Sequence, residues 1–167
     1  MLLEGKTAAI SGAASVRGIG LATAKLFASH GARVAILDID GKAAEAAARD
    51  LGAGHLGLSC DVADKASCDA AAKAVLQAFG HLDILINNAG VTQPVKTLDI
   101  DEASWDRILD INTKGVLFLS QAFLPSMRAR KKGSIACMSS VSAQRGGGIF
   151  GGPHYSAAKA GVLGLAK

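Results

Sequence analysis

Five short runs of β-branched and aliphatic residues alternate with longer Ala-rich stretches of helical period, and this alternation is the strongest constraint on how the chain can fold. Thr7–Ser11, Arg33–Asp38, His55–Cys60, Leu82–Asn87 and Ser134–Ser139 are predicted strands. Ile19–His30, Gly41–Leu51, Ala63–Phe79, a segment around Glu102–Ile111, and Thr113–Arg130 are predicted helices. Runs such as Ile84-Leu85-Ile86 are apolar on both faces, as expected of strands covered on both sides. Strand, helix and parallel strand in repetition imply right-handed crossovers, hence an α/β fold with an open, doubly wound parallel sheet. The chain has 32 Ala and 20 Gly but only one Trp, one Tyr and five Phe, so its core is built of small side chains in close layers.

Several classes are excluded early. No run of 18 apolar residues occurs, so no transmembrane helix and no membrane partner are expected. Glu4 and Lys6 fall where a secretory apolar region would run, which points to a cytoplasmic protein. The three cysteines, Cys60, Cys68 and Cys137, lack metal-ligand spacing and read as reduced core residues, with no metal site. The net charge of +4 raises nucleic acid as a partner. However, the one basic cluster, Arg128, Arg130, Lys131 and Lys132, falls at a predicted helix C-terminus, where cations complement the dipole, so no nucleic-acid binding is expected.

Residues 1–167 read as one domain, because Gly146-Gly147-Gly148 and Gly151-Gly152-Pro153 break a single loop rather than mark a boundary. A last helix starts near His154 or Tyr155 and runs to Lys167 with no stop signal. That leaves Ser134–Ser139 as an apolar sheet edge, and the expectation is a chain truncated at its C-terminal end.

The first strand runs into Ser11-Gly12-Ala13-Ala14-Ser15-Val16-Arg17-Gly18-Ile19-Gly20 and then a helix. This is the context that a dinucleotide fingerprint requires. Gly12 allows the tight turn, Gly18 lets the backbone approach a pyrophosphate, and Gly20 permits close helix–strand packing. The helix N-terminus beginning at Ile19 offers free N–H groups to phosphates. Asp38 closes the second strand about 20 residues later, where a carboxylate accepts from the ribose hydroxyls. Capping the following helix is the other role open to Asp38, and Asp40 competes for it.

The only tyrosine lies in Tyr155-Ser156-Ala157-Ala158-Lys159. Residues four apart share a helix face, so the ammonium lies near the phenol. A phenol ordinarily titrates near pH ~10, and a neighbouring cation favours its ionised form, as proton transfer at neutral pH requires. Asn87-Asn88-Ala89-Gly90 follow the fourth strand, Asn112 precedes a long helix, and Ser139-Ser140 end the fifth strand.

In this order, and with the glycine-rich turn, these motifs resemble the short-chain dehydrogenase/reductase family over essentially the whole chain. The resemblance implies a Rossmann-like sheet of strand order 3-2-1-4-5, here without the family's last strands. It implies that Tyr155 is the general acid/base, that Ser140 holds the substrate oxygen, and that Lys159 binds the nicotinamide ribose and assists the tyrosine. Asn112 would position a water in a proton relay. Cofactor contacts carry over to Gly12, Arg17, Gly18, Ile19, Gly20, Asp38, Asp61, Val62, Asn88, Ala89, Gly90, Tyr155 and Lys159. Ser142 is a candidate for a supporting hydrogen bond, and His154 reads as a solvated bystander.

The chain departs from the family at its turn. Gly12-x5-Gly18-x-Gly20 is two residues longer than the usual spacing, and the insertion carries Arg17. A basic residue there favours NADP, whereas Asp38 repels a 2′-phosphate and favours NAD. NAD is the expected cofactor and NADP the alternative. Between Ser140 and Tyr155, Ile149 and Phe150 are expected to wall a moderately apolar pocket for a small-molecule secondary alcohol or ketone. The alternatives are a 3-oxoacyl-thioester reductase, or a truncated and inactive module serving dinucleotide binding or assembly. Family members associate through the helices beginning near Asn112 and Tyr155, so a homo-oligomer, dimer or tetramer, is expected. Leu117, Leu119, Phe123 and Leu163 either serve that interface or cover the sheet.

Overall fold

The computed structural model describes residues 1–148 and 150–167. Its centre is a five-stranded sheet, formed by β1 (Thr7–Ser11), β2 (Arg33–Asp38), β3 (Leu56–Ser59), β4 (Ile84–Asn87) and β5 (Ser134–Cys137). All pairs are parallel and the order is β3-β2-β1-β4-β5. This is the Rossmann-like arrangement expected from the alternation of strands and helices. The chain winds outward from β1 to β3, returns to the centre at β4, and so opens a crevice beyond the carboxyl ends of β1 and β4.

Two apolar layers enclose the sheet. Ile10, Val34 and Ile36 face α1 (Ile19–Ser29) and α2 (Gly41–Leu51). Ala9, Ala35, Leu37 and Leu85 face α3 (Lys65–Phe79) and α5 (Gly115–Arg130), with Phe123 and Leu119 wholly buried between them. Small residues set the layer spacing. At Gly57 on β3, an added Cβ would overlap the Ala44 carbonyl, so α2 lies directly on the strand backbone.

The edges of the elements differ from the sequence expectation for specific reasons. β3 starts at Leu56 because the His55 ring accepts from the Val34 amide at 3.0 Å, so a side chain takes the place of a ladder carbonyl. The short helix α6 (Ser142–Arg145) is an addition, as is a 3-10 turn at Thr97–Asp99. α4 (Glu102–Leu109) and α5 are not separated by a cap at Asn112. They are joined by a π-helical turn, Asp110–Lys114, in which the Gly115 amide bonds the carbonyl of Asp110 five residues back. The basic cluster falls at the end of α5 as expected, with Lys131 in the left-handed conformation that closes the helix. α7 (Pro153–Leu165) opens with proline at its first turn, where a missing N–H costs nothing.

At the opposite end of the sheet, Asp83 forms a closed polar knot. It accepts from the Thr7 amide at 3.1 Å and from Arg130 at 3.1 Å, with the His81 ring 3.2 Å away. Among the described residues no helix is long and apolar enough to cross a membrane.

Candidate active site

The glycine-rich turn is held open from beneath. Ser11 Oγ accepts from the backbone amides of Asn88 and Ala89, each at 3.1 Å. The Asn88 side chain returns to the carbonyls of Ser11 and Gly12, both at 2.9 Å. Gly12 has φ +62°, and a Cβ there would sit 2.7 Å from the Ala89 Cα, so the turn and the loop after β4 meet where only glycine fits. A Cβ on Gly20 would lie 2.7 Å from the Gly12 carbonyl, which is the close packing expected of the third glycine. The α1 N-terminus, starting after Gly18, has no side-chain cap. Its first amides therefore remain available to an anion.

A cleft of about 500 Å³ opens above this turn. Gly12, Gly18, Ile19, Asp38, Asp61, Val62, Asn88, Ala89 and Gly90 line it, bringing together most of the cofactor residues expected from sequence. Asp38 does not cap α2. Its carboxylate accepts from the Ala14 amide at 3.0 Å and so braces the glycine-rich turn, while Asp40 caps the helix through the Ala43 amide at 3.0 Å. Arg17 is exposed and lies outside the cleft lining. Sequence reasoning missed Cys60, Arg107 and Ile111, which also face the cleft. Cys60 is flanked by expected residues, but nothing local in the sequence marks the two on the run from α4 to α5.

The other group of residues gathers on α7 and the turns beside it. Tyr155 and Lys159 share a helix face, with Nζ 5.9 Å from the ring centre. Lys159 is almost wholly buried and donates to the Met138 carbonyl at 2.8 Å. Burial holds its pKa below the usual lysine range. The two candidate serines divide cleanly. Ser139 Oγ donates to the Lys159 carbonyl at 2.7 Å, whereas Ser140 Oγ accepts from the Ser142 amide at 3.1 Å and keeps its own proton to donate. Ser142 thus contributes its backbone rather than its hydroxyl.

Asn112 is completely buried within the π turn. Its Nδ2 donates to the carbonyls of Val91 and Ile108, both at 2.9 Å, the latter one turn back on the same helical run. Its Oδ1 has no partner among the described residues. A Cβ on Gly90 would lie 2.7 Å from that oxygen and 3.3 Å from Lys159 Nζ. The two side chains thus converge on one point above the loop after β4.

Two expectations need correction. His154 is not a solvated bystander but fully buried. Its Nε2 lies 3.3 Å from Gln93 Oε1, and Gln93 in turn accepts the Gly152 amide at 2.9 Å. Because Gly152 has no side chain, the ring can lie against its backbone; a Cβ there would come within 2.6 Å of the imidazole. Phe150 does not wall a closed pocket, being 83% exposed, and its expected companion Ile149 lies outside the described residues. Leu119 and Phe123 cover the sheet, while Leu117 and Leu163 remain on the surface.

A doubly wound parallel sheet with a glycine-rich turn at its switch point, and a buried lysine one turn from a tyrosine, defines a Rossmann-like α/β class of protein. Comparison with known families agrees, since the family model for short chain dehydrogenase matches residues 6–167. The chain belongs to the short-chain dehydrogenase family. It is 73% identical to an uncharacterized short-chain type dehydrogenase/reductase of Sinorhizobium fredii, with 100% of this chain and 68% of that protein covered. It is 41% identical to a D-threitol dehydrogenase of Mycolicibacterium smegmatis (99% of this chain, 63% of the relative). It is 40% identical to a sorbitol dehydrogenase of Cereibacter sphaeroides (100% and 64%). The chain thus spans roughly two thirds of the length of these relatives.

Proposed function

We propose that this protein is an NAD-dependent oxidoreductase acting on a secondary alcohol or the corresponding ketone, with a polyol as the favoured substrate class. The observation that carries this reading is the convergence of Asn112 Oδ1 and Lys159 Nζ over Gly90, with Tyr155 on the same face of α7. NAD supplies the hydride acceptor when bound. Fit to it is supported by the glycine-only approach of Gly12 to Ala89, the uncapped α1 N-terminus and the cleft between them.

In alcohol oxidation, Ser140 donates to the substrate oxygen and fixes its distance from Tyr155. The phenolate of Tyr155 takes the hydroxyl proton as the hydride departs; in ketone reduction the same phenol returns it. The Lys159 ammonium, 5.9 Å from the Tyr155 ring centre, would hold the cofactor ribose when NAD is bound. A water held between Lys159 and the unpartnered Asn112 Oδ1 carries the proton onward, since a buried acceptor beside a cation is a site that retains water. Asp38 selects against a 2′-phosphate by charge repulsion, which supports NAD over NADP; Arg17, exposed and off the cleft, offers little to oppose it. Polyols are favoured because relatives named for threitol and sorbitol share about two fifths of the residues. Assembly into a homo-oligomer is part of the same proposal, with Leu117 on α5 and Leu163 on α7 as exposed apolar contacts.

The test is NAD reduction followed by absorbance with threitol, sorbitol, galactitol and simple secondary alcohols, in the parent and in Tyr155→Phe. Turnover by the parent and its loss in the variant are expected. An unchanged rate in Tyr155→Phe would remove the assigned chemistry.

A further inference from the structure

Arg107 is the only cation lining the cleft among the described residues, where the charged neighbours are Asp38 and Asp61. Its guanidinium makes no ion pair or hydrogen bond with any described residue, although other charged residues near it are engaged. Asp110, for example, pairs with Lys114 at 2.6 Å. Position along the helix explains where Arg107 sits. Residues 107, 111 and 115 recur at a spacing of four on the run from α4 into α5. A Cβ on Gly115 would lie 2.8 Å from the Val62 side chain, so this stripe runs along the loop Cys60-Asp61-Val62. Ile111 and Arg107, the next positions of the stripe, both line the cleft, and Arg107 is exposed.

We propose that Arg107 is a further cofactor-binding residue that covers the adenine with its guanidinium plane. The inference rests on the dinucleotide reading above and adds a residue to it. The cleft lining includes the apolar side chains of Ile39, Val62 and Ile111, as a base requires. A guanidinium is planar, weakly hydrated and cationic, so it gains from stacking on an aromatic base while its edge stays in water.

Titration calorimetry with NAD, AMP, adenosine and nicotinamide mononucleotide distinguishes this contact from its rivals, using the full chain and the variants Arg107→Ala, Arg107→Lys and Arg17→Ala. Arg107→Ala is expected to weaken NAD, AMP and adenosine about tenfold, the scale of one stacked base, and to leave nicotinamide mononucleotide unchanged. Arg107→Lys should lose nearly as much, because charge without a plane does not stack. Arg17→Ala should change none of them. Full rescue by lysine, or a loss confined to phosphate-bearing ligands, would overturn stacking in favour of a simple ionic contact. Equal affinities in parent and Arg107→Ala would overturn the role of Arg107 while leaving the cofactor reading intact. Failure of the parent to bind NAD at all would remove the cofactor reading, and this inference with it.

Discussion

The hydroxyl of Ser139 donates to the main-chain carbonyl of Lys159 at 2.7 Å, which ties the loop after β5 to the middle of α7. Ser140, the next residue, makes no such tie; its oxygen accepts the Ser142 amide and its proton is donated to no described residue. The two serines therefore answer differently to the same substitution. Ser139→Ala is expected to cost about 1 kcal/mol of stability, the net value of one hydrogen bond. Ser140→Ala is expected to cost no more stability than that, through loss of the acceptor for the Ser142 amide, and to lower kcat/KM about a hundredfold, as the loss of an oxygen-holding donor does. Thermal melts and initial rates on one polyol settle the division; a reversed pattern would exchange the two roles.

Lys159 gives the fold a pH dependence of known sign. Burial lowers its pKa from the ordinary 10.5, so between the depressed value and 10.5 the unfolded chain binds the extra proton. Stability relative to a variant without this group rises with pH across that alkaline window, and below it the burial penalty is full and constant. Lys159→Met should flatten that rise in denaturant titrations while lowering turnover about a thousandfold. A variant whose stability still climbs in parallel with the parent would show that Lys159 carries no penalty.

Gly90 and Gly164 make a paired test of the relay. Gly90→Ala places a methyl where Asn112 Oδ1 and Lys159 Nζ converge, and turnover is expected to fall at least about a hundredfold through loss of the proton path. Gly164 lies in α7 with nothing within 4 Å of an added Cβ. Gly164→Ala should stabilise the chain by about 0.5–1 kcal/mol and leave the rate alone. Equal rates in the two variants would contradict the relay.

Asp83 governs the acid limb. Burial pushes its carboxyl up, but the Arg130 hydrogen bond, the Thr7 amide and the nearby charges of His81 and Arg130 outweigh it, and the net direction is down from 3.8. Its contribution is thus present above pH 3.8 and is lost as the pH falls through the lower folded value. Asp83→Ala is expected to cost about 3 kcal/mol at neutral pH, because Arg130 and the Thr7 amide lose their acceptor. The gap between parent and variant should stay constant down to about pH 4 and then close. A gap independent of pH to the acid limit would argue against the depressed carboxyl.

The sheet, the glycine-rich turn and the Tyr155–Lys159 face were legible because each rests on local periodicity. The rest depends on neighbours distant in sequence. Asn112 reads as a cap or a break between helices, since a polar amide before an apolar run has that signature. Only the Val91 carbonyl, 21 positions away, explains why it sits inside a continuous rod. His154 follows two glycines and a proline and reads as solvated; its burial comes from Gln93, 61 positions back. Arg107 lies on a helix face whose charge pattern looks like ordinary solvent exposure, and the loop that shares its cleft is encoded about 45 residues earlier.

The π turn at Asp110–Lys114 separates foldability from chemistry. It holds one residue more than an α-helical turn would, so the extra residue is spent without changing which faces of α4 and α5 meet the core. A deletion of one residue there should therefore be silent for assembly of the sheet: Ile108 and Leu119 would keep their places in a plain α-helix. What it would erase is the π turn in which the Asn112 side chain reaches the carbonyls of Val91 and Ile108. Under the proposed relay, a single-codon loss at this point is thus a route to a stable descendant that lacks the buried Asn112 acceptor.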